Sequence, residues 1–300
     1  MSTEAGQETA INWKDDYTDT KNIKILTADQ LHIPGLQLFG NQIRTFATES
    51  LPLHYHEDCY EVVYICNGTP SFHVAEKNYN LCGGDVFITQ PNQVHSTNSV
   101  PVSISEMYWF QINLNSCPNF LYQDQISINY LQSGLSTLPS PRISTDSPMI
   151  KKLLYNSFQA ALSGSKPQLV AQYLSLLLYI ILEFSEKTTF KLTPDIGRVM
   201  DYILDHIYED ISLDELSAVA YLSTSQMKQK FKKQLGIAPR QFINAQKIEC
   251  SKGLLQEGYS VREVAAMLQF DTSSYFTTVF KRYNSCTPSE YIKKFQQEQE

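Results

Sequence analysis

Four side chains in the first third of the chain could do chemistry together: His54, His56, Glu61 and His95. Three imidazoles and a carboxylate make a donor set suited to divalent iron, manganese, nickel or zinc. The same groups could hydrogen-bond the hydroxyls of a small polar ligand such as a sugar, with no metal at all. They could also be plain structural histidines. On the residues alone a metal-free binding pocket, a metal-assisted pocket and structural histidines all stay open. Far downstream, Lys228, Lys230, Lys232 and Lys233 put four positive charges into six residues. Such a run suits a row of phosphates, although a solvated helix face has the same composition.

The elements that must position these groups change character along the chain. From about Ile33 to Leu114 short apolar runs are punctuated by turn residues. Glu61 to Cys66 ends at Asn67-Gly68, and Val86 to Ile88 stops before Pro91. Short strands at this spacing predict a sandwich or barrel. After Pro148 the spacing becomes helical. Leu153, Leu154, Phe158 and Leu162 recur on one face and stop at Gly164, and a second helix is expected from Pro167 to about Glu186. Its broad stripe of Leu174, Leu177, Leu178, Ile181 and Leu182 must be covered, by the barrel or by a second copy of the chain. The polar stretch from Glu186 to Thr193 is the best linker candidate.

Beyond Pro194 the chain repeats itself. Ser212-Leu-Asp-Glu-Leu216 recurs 48 residues later as Ser260-Val-Arg-Glu-Val264. From Met227 onward, which matches Phe276, the offset is 49. Phe231-Lys232 then matches Phe280-Lys281, and Pro239 matches Pro288. Each unit holds a short helix, a brief turn and a second helix with an N-cap, Ser223 in the first and Asp271 or Thr272 in the second. That is the pattern of a helix-turn-helix, whose second helix can lie in the DNA major groove. Met227, Phe231 and Leu235 should pack inward and leave Ser225, Lys228, Gln229 and Lys232 outward. In the second unit Phe276 and Phe280 should pack inward, leaving Ser273, Ser274 and Thr278 outward, with the basic pair Lys281-Arg282 at the helix end. Between them a helix starting near Pro239 should run to Gln256, before Gly258.

From about Ile211 to Phe295 this pattern resembles the AraC/XylS family of bacterial transcription regulators. The matching residues include Leu213-Asp-Glu-Leu216, Ser223, Phe231-Lys232, Leu235-Gly236, Pro239, Phe270, Ser274-Tyr-Phe276, Phe280-Lys281 and Thr287-Pro288-Ser289. The resemblance implies promoter DNA and RNA polymerase as partners and a regulator, more often an activator, rather than an enzyme. It also implies base and backbone contacts at Ser225, Lys228, Gln229, Ser273, Ser274 and Thr278. Departures fall at Gln269 and Ser285, where the family usually has Gly, at Ser217 and Ser251, where it has Ala, and at Lys247, where it has Arg.

Upstream, His54-Tyr-His56, Glu61, Gly68, Gly84-Asp85, Pro91 and His95 resemble the two cupin motifs. The expected fold is therefore α+β: a cupin-like effector barrel over residues 1–145, a helical coupling or dimerisation hairpin with linker over 146–193, and an all-α region with two helix-turn-helix units over 194–300. A sugar is the leading effector, no cofactor is required, and a homodimer is favoured by the resemblance. A metal-dependent cupin enzyme and a metal-sensing regulator are the competing functions. Tyr64, Tyr108, Trp109 and Phe110 could line the pocket, and His73 is expected to be an ordinary strand residue.

Charge and composition fit this division. The net charge is −7, but residues 1–193 carry 11 Lys and Arg against 17 Asp and Glu, while residues 194–300 carry 13 against 14. The acidity lies away from the lysine-rich helix. With 12 Gly, 13 Pro and 6 Cys in 300 residues, collagen-like and disulfide-scaffold classes are excluded. No Cys-x-x-Cys pair occurs and no signal segment opens the chain, so reduced thiols and a cytoplasmic setting are expected, without a membrane span.

Overall fold

Short apolar runs with turn residues at the breaks make a two-sheet barrel of the first part of the chain. A computed structural model describes residues 10–13, 20–97, 101–145, 147–164, 166–186 and 192–297. Most of the expected linker therefore lies outside the described residues. The strands are β1 (Ile11–Asn12), β2 (Ile23–Thr27), β3 (Leu36–Arg44), β4 (His54–Tyr55), β5 (Tyr60–Gly68), β6 (Ser71–Val74), β7 (Lys77–Asn80), β8 (Asp85–Thr89), β9 (His95–Ser96), β10 (Ser105–Ile112) and β11 (Arg142–Ser144). One sheet has the order β1-β4-β9-β6-β7 and the other β11-β8-β5-β10-β3-β2. The barrel therefore starts before Ile33 and takes its last strand after Leu114, because three of its edge strands, β1, β2 and β11, come from outside the expected stretch.

The helices are α1 (Ala28–Leu31), α2 (Gln125–Ser136), α3 (Pro148–Leu162), α4 (Pro167–Glu186), α5 (Pro194–Asp205), α6 (Leu213–Ala220), α7 (Thr224–Leu235), α8 (Pro239–Gln256), α9 (Val261–Met267), α10 (Ser273–Asn284) and α11 (Pro288–Gln297). Helix α2, capped by Asp124, was not anticipated. It packs with α3 and α4 on the outer face of the larger sheet.

Strand β5 shows how the two layers are separated. Val63 and Ile65 point into the barrel with Phe72, Phe87 and Trp109. Tyr60, Val62 and Tyr64 point the other way, into a core shared with α3 and α4. Leu174, Leu177, Leu178, Ile181 and Leu182 all lie in that second core. This corrects one of the two expectations for the apolar stripe: its own barrel covers it, not a second copy. The same contact explains α4, the one helix among the described residues long and apolar enough to cross a membrane. Its buried face is sheet-covered core.

Helices α5 to α11 form two small cores. Met227, Phe231 and Phe242 anchor the first, and Phe276, Phe280 and Leu255 the second. Helix α8 contributes Phe242 and Ile243 to one and Ile248 and Leu255 to the other.

Candidate effector pocket and nucleic-acid interface

Sheet pairing, rather than sequence proximity, assembles the histidine cluster. His54 on β4 is the register partner of His95 on β9, and His56 follows immediately after β4. Glu61 enters from β5 in the opposite sheet. Its carboxylate lies 3.3 Å from His56 Nε2 and 3.3 Å from His95 Nε2. All four residues are buried. Backbone carbonyls orient two of the rings: His54 Nδ1 lies 2.8 Å from the Pro52 oxygen and His95 Nδ1 2.9 Å from the Gln93 oxygen. A ring nitrogen bonded to a carbonyl oxygen must carry the proton, which leaves Nε2 of neutral His54 bare. His95, by contrast, can donate from Nε2 to Glu61 only with both ring nitrogens protonated. The amide of Gln111 donates to His56 Nδ1 at 3.1 Å, so neutral His56 carries its proton on Nε2, toward Glu61.

Electrostatics follow from this burial. Burial, reinforced by the neighbouring His95, lowers His54 to about 4, so its ring is neutral near pH 7. For Glu61 burial pushes upward, but the contacts from His56 and His95 outweigh it and hold the carboxyl well below the usual range. The cluster is an anion caged by imidazoles.

A cavity of about 180 Å³ opens beside it, lined also by Trp13, Gln42, Arg44, Phe72 and Trp109. Gln42 and Arg44 are two apart on β3 and so share a face. Gly40 on the same strand is paired with Trp109 of β10, and a Cβ there would lie 2.4 Å from the indole ring. That glycine makes room for the tryptophan that walls the pocket. Of the four aromatic candidates only Trp109 lines this cavity. Tyr64, Tyr108 and Phe110 face the helical layer, which corrects that expectation. Trp13, Gln42 and Arg44 were missed, because only pairing across distant strands brings them here. His73 sits in β6 and bonds Asn78 at 2.8 Å, away from the cluster, as expected.

The duplicated units show matched construction. Ser223 caps α7 in a capping box with Gln226, and Thr272, rather than Asp271, caps α10 through Tyr275 N at 3.0 Å. Ser225, Lys228, Gln229 and Lys232 are exposed at positions i, i+3, i+4 and i+7 of α7, while Met227 and Phe231 are fully buried. On α10 Ser274, Thr278 and Lys281 are exposed, Ser273 is half-buried, and Phe276 and Phe280 are buried. Leu235, expected inside, is half-buried. Lys230 is withdrawn from the lysine run. Its ammonium lies 2.6 Å from Asp195 of α5, so three of the four charges remain for another partner. Burial raises the Asp195 carboxyl, but bonds from Lys230 and Thr193 prevail and hold it at about 2.

Two family descriptions match the chain: an AraC-like ligand binding domain over residues 42–178 and a helix-turn-helix domain over residues 216–294. A probable transcriptional regulator, LumQ of Photobacterium leiognathi, is 33% identical over 109 residues, covering 36% of this chain and 43% of its own. The chain thus spans less than half the length of that relative. An uncharacterized HTH-type transcriptional regulator, YdeC of Bacillus subtilis, is 23% identical over 287 residues, covering 91% of this chain and 97% of its own. Among solved structures, ToxT of Vibrio cholerae aligns with 91% of this chain and 98% of its own at 12% identity, with a TM-score of 0.33. With a ligand-binding match over the barrel and its helical layer, and a helix-turn-helix match over the duplicated helices, the chain belongs to the AraC family of transcriptional regulators.

Proposed function

We propose that this chain is a sequence-specific DNA-binding regulator whose affinity for promoter DNA is set by a small molecule in the barrel. The observation that carries this is the duplication. Two capped helices, α7 and α10, present polar faces of the same register over buried pairs, Met227 with Phe231 and Phe276 with Phe280. In this reading Ser225, Gln229, Ser273, Ser274 and Thr278 approach base edges, and Lys228, Lys232 and Lys281 contact phosphates. Helix α8, 18 residues or about 27 Å long, separates the units. That length suits two reading helices in successive major-groove faces about 34 Å apart.

In the same reading residues 1–145 bind the effector at His54, His56, Glu61 and His95, residues 146–193 couple it, and residues 194–300 bind DNA. A sugar fits the mixture of polar groups and aromatic walls. The effector changes DNA binding only by as much as it favours one arrangement of these parts over another. Activation through RNA polymerase, a cytoplasmic setting and a homodimer complete the proposal. The dimer would use the exposed side of α4, where Leu169 and Leu176 lie, since the opposite side is buried in the chain. Selection from a random DNA pool with the full chain tests the central claim. Two short conserved half-sites about 10 bp apart should be enriched. No enriched sequence, or a single half-site, would refute the two-headed reading.

One observation favours a second reading, a regulator that senses a divalent metal. One ring nitrogen from each of His54, His56 and His95 lies within 4.8 Å of the others, with the Glu61 carboxylate between two of the rings. This donor set fits zinc, nickel, manganese or iron once the Gln111 amide turns so that its oxygen accepts from His56 Nδ1. Bound there, such an ion would supply a fixed positive charge and an open coordination position for an effector oxygen. Calorimetric titration of chelator-treated protein with zinc, nickel and manganese should then give one saturable site, absent in His54→Ala/His95→Ala, with a change in DNA affinity on loading. Equal uptake by the variant, or no saturable uptake, sinks the metal reading.

A further inference from the structure

A larger cavity, about 630 Å³, lies outside the barrel, between the outer face of its larger sheet, α3 and the C-terminal end of α7. Its volume is in the range of pockets for small organic ligands. It exists because two glycines let the backbones touch. A Cβ on Gly236, the left-handed cap of α7, would lie 1.8 Å from the Gly83 nitrogen, and one on Gly83 would lie 2.6 Å from the Gly236 Cα. A side chain at either position would prop the two parts open.

That contact puts like charges together. Lys151 and Lys152 of α3 line the cavity from one side and Lys232 and Lys233 of α7 from the other. Glu106 is the one carboxylate among the described lining residues, and it stands 3.9 Å from Lys151. Four ammonium groups against one carboxylate leave the cavity electropositive, so closing it costs repulsion that a bound anion would remove. Polar and aromatic groups complete the lining. Thr145 is buried, with its hydroxyl oxygen lacking a hydrogen-bond partner among the described residues. Tyr108 is pushed up to about 12 by burial, so its phenol remains a donor. Tyr64 and Tyr155 add aromatic walls.

The geometry points to this cavity as a binding site for a small aromatic organic anion, a carboxylate or a phosphate monoester, bridging the barrel layer and the first reading helix. The barrel pocket is separate, since it opens inside the sheets around Arg44 and the histidines. Because Lys232 is also assigned to a DNA phosphate, the anion and DNA compete for it. That consequence rests on the proposed function, whereas the binding itself does not.

The test uses the full chain and three probes in calorimetric titrations: 2-naphthoate, 1-naphthyl phosphate and the neutral 2-naphthamide. At least one anion should bind once per chain, about tenfold or more tighter than the amide, as expected for loss of charge-assisted hydrogen bonds. Preference between the two anions distinguishes a carboxylate from a phosphate source. Lys151→Ala/Lys152→Ala should weaken anion binding about tenfold or more, with an unchanged melting temperature and unchanged DNA affinity in the absence of probe. The anion should lower DNA affinity in the parent chain and leave it unaltered in that variant. Equal binding of amide and anions, parent-like anion binding by the variant, or loss of binding on Arg44→Ala instead would overturn the assignment. Failure to bind any DNA would defeat the proposed function while the probe titrations still answer for the cavity.

Discussion

Replacing Lys228 and Lys232 together by alanine should make the slope of log K for DNA against log salt shallower by about 1.8, because each phosphate neutralised by a lysine adds roughly 0.9 to it. Over the fourfold range from 50 to 200 mM salt, that difference narrows the gap between variant and parent about tenfold. The variant is therefore far weaker at low salt and much closer to the parent at high salt. Alanine keeps the helix, and both lysines are exposed, so folding should be untouched. Lys230→Ala is the internal control. Its ammonium is held by Asp195 at 2.6 Å and is not available to a phosphate, so its slope should stay near that of the parent. Ser274→Ala is the complementary case, shifting base preference at one half-site with little change in slope. Identical salt slopes for the double variant and the parent would mean that α7 does not face the phosphate backbone.

The contrast between Lys230 and its neighbours marks what the sequence can and cannot reveal. Spacing alone placed Met227 and Phe231 inside and Lys228 and Lys232 outside, because helical period and capping are local properties. Whether an outward lysine is free depends on what packs beside it, and Asp195 is 35 residues away. The leucine stripe of α4 is similar. Its width required burial, but the covering surface is the outer face of a sheet formed much earlier in the chain.

The barrel shows the same limit at its pocket. His54, His56, Glu61 and His95 were legible as a set through their resemblance to the two cupin motifs, and not through residue type alone, since His73 also stands in a strand. Trp109 was legible as a candidate, but its neighbours Tyr108 and Phe110 were not separable from it. Alternation says that they face the opposite way, and only the closed sheet says which way is in. Gln42 and Arg44 reach the pocket through pairing of β3 with β10, a long-range register that no local pattern encodes. The departures at Gln269 and Ser285 have a clear physical reading. Both adopt left-handed backbone, at φ 53° and 59°, where glycine would be unstrained. Each costs roughly 1–2 kcal/mol relative to a residue in its preferred region. The second caps α10 just as Gly236 caps α7, so the repeat holds its geometry with a less suitable residue.

Phe231→Ala and Phe280→Ala should each unfold one unit of the duplicated region while the other stays folded. Both rings are fully buried, Phe231 against Phe242 at 5.6 Å and Phe280 between Phe276 and Tyr291 at 5.7 and 5.6 Å. Deleting a buried phenyl ring costs about 3–5 kcal/mol. A whole domain has only about 5–15 kcal/mol in hand, and each unit is a fraction of one. Among the described residues the two cores share no side chain except the partly buried Cys250, and they are joined by α8, whose first half belongs to one and second half to the other. In such a chain stability is a sum of unit terms and one interface term, as in repeat proteins. Amide exchange should therefore show reduced protection in α6 and α7 for Phe231→Ala, with α9 and α10 retained, and the reverse for Phe280→Ala. On DNA each variant should protect the half-site of its intact unit alone. Loss of protection in both units from either substitution would show that α8 transmits the damage, making the reader one cooperative body. Independent loss would instead mean that each head finds its half-site separately and that α8 sets only their spacing.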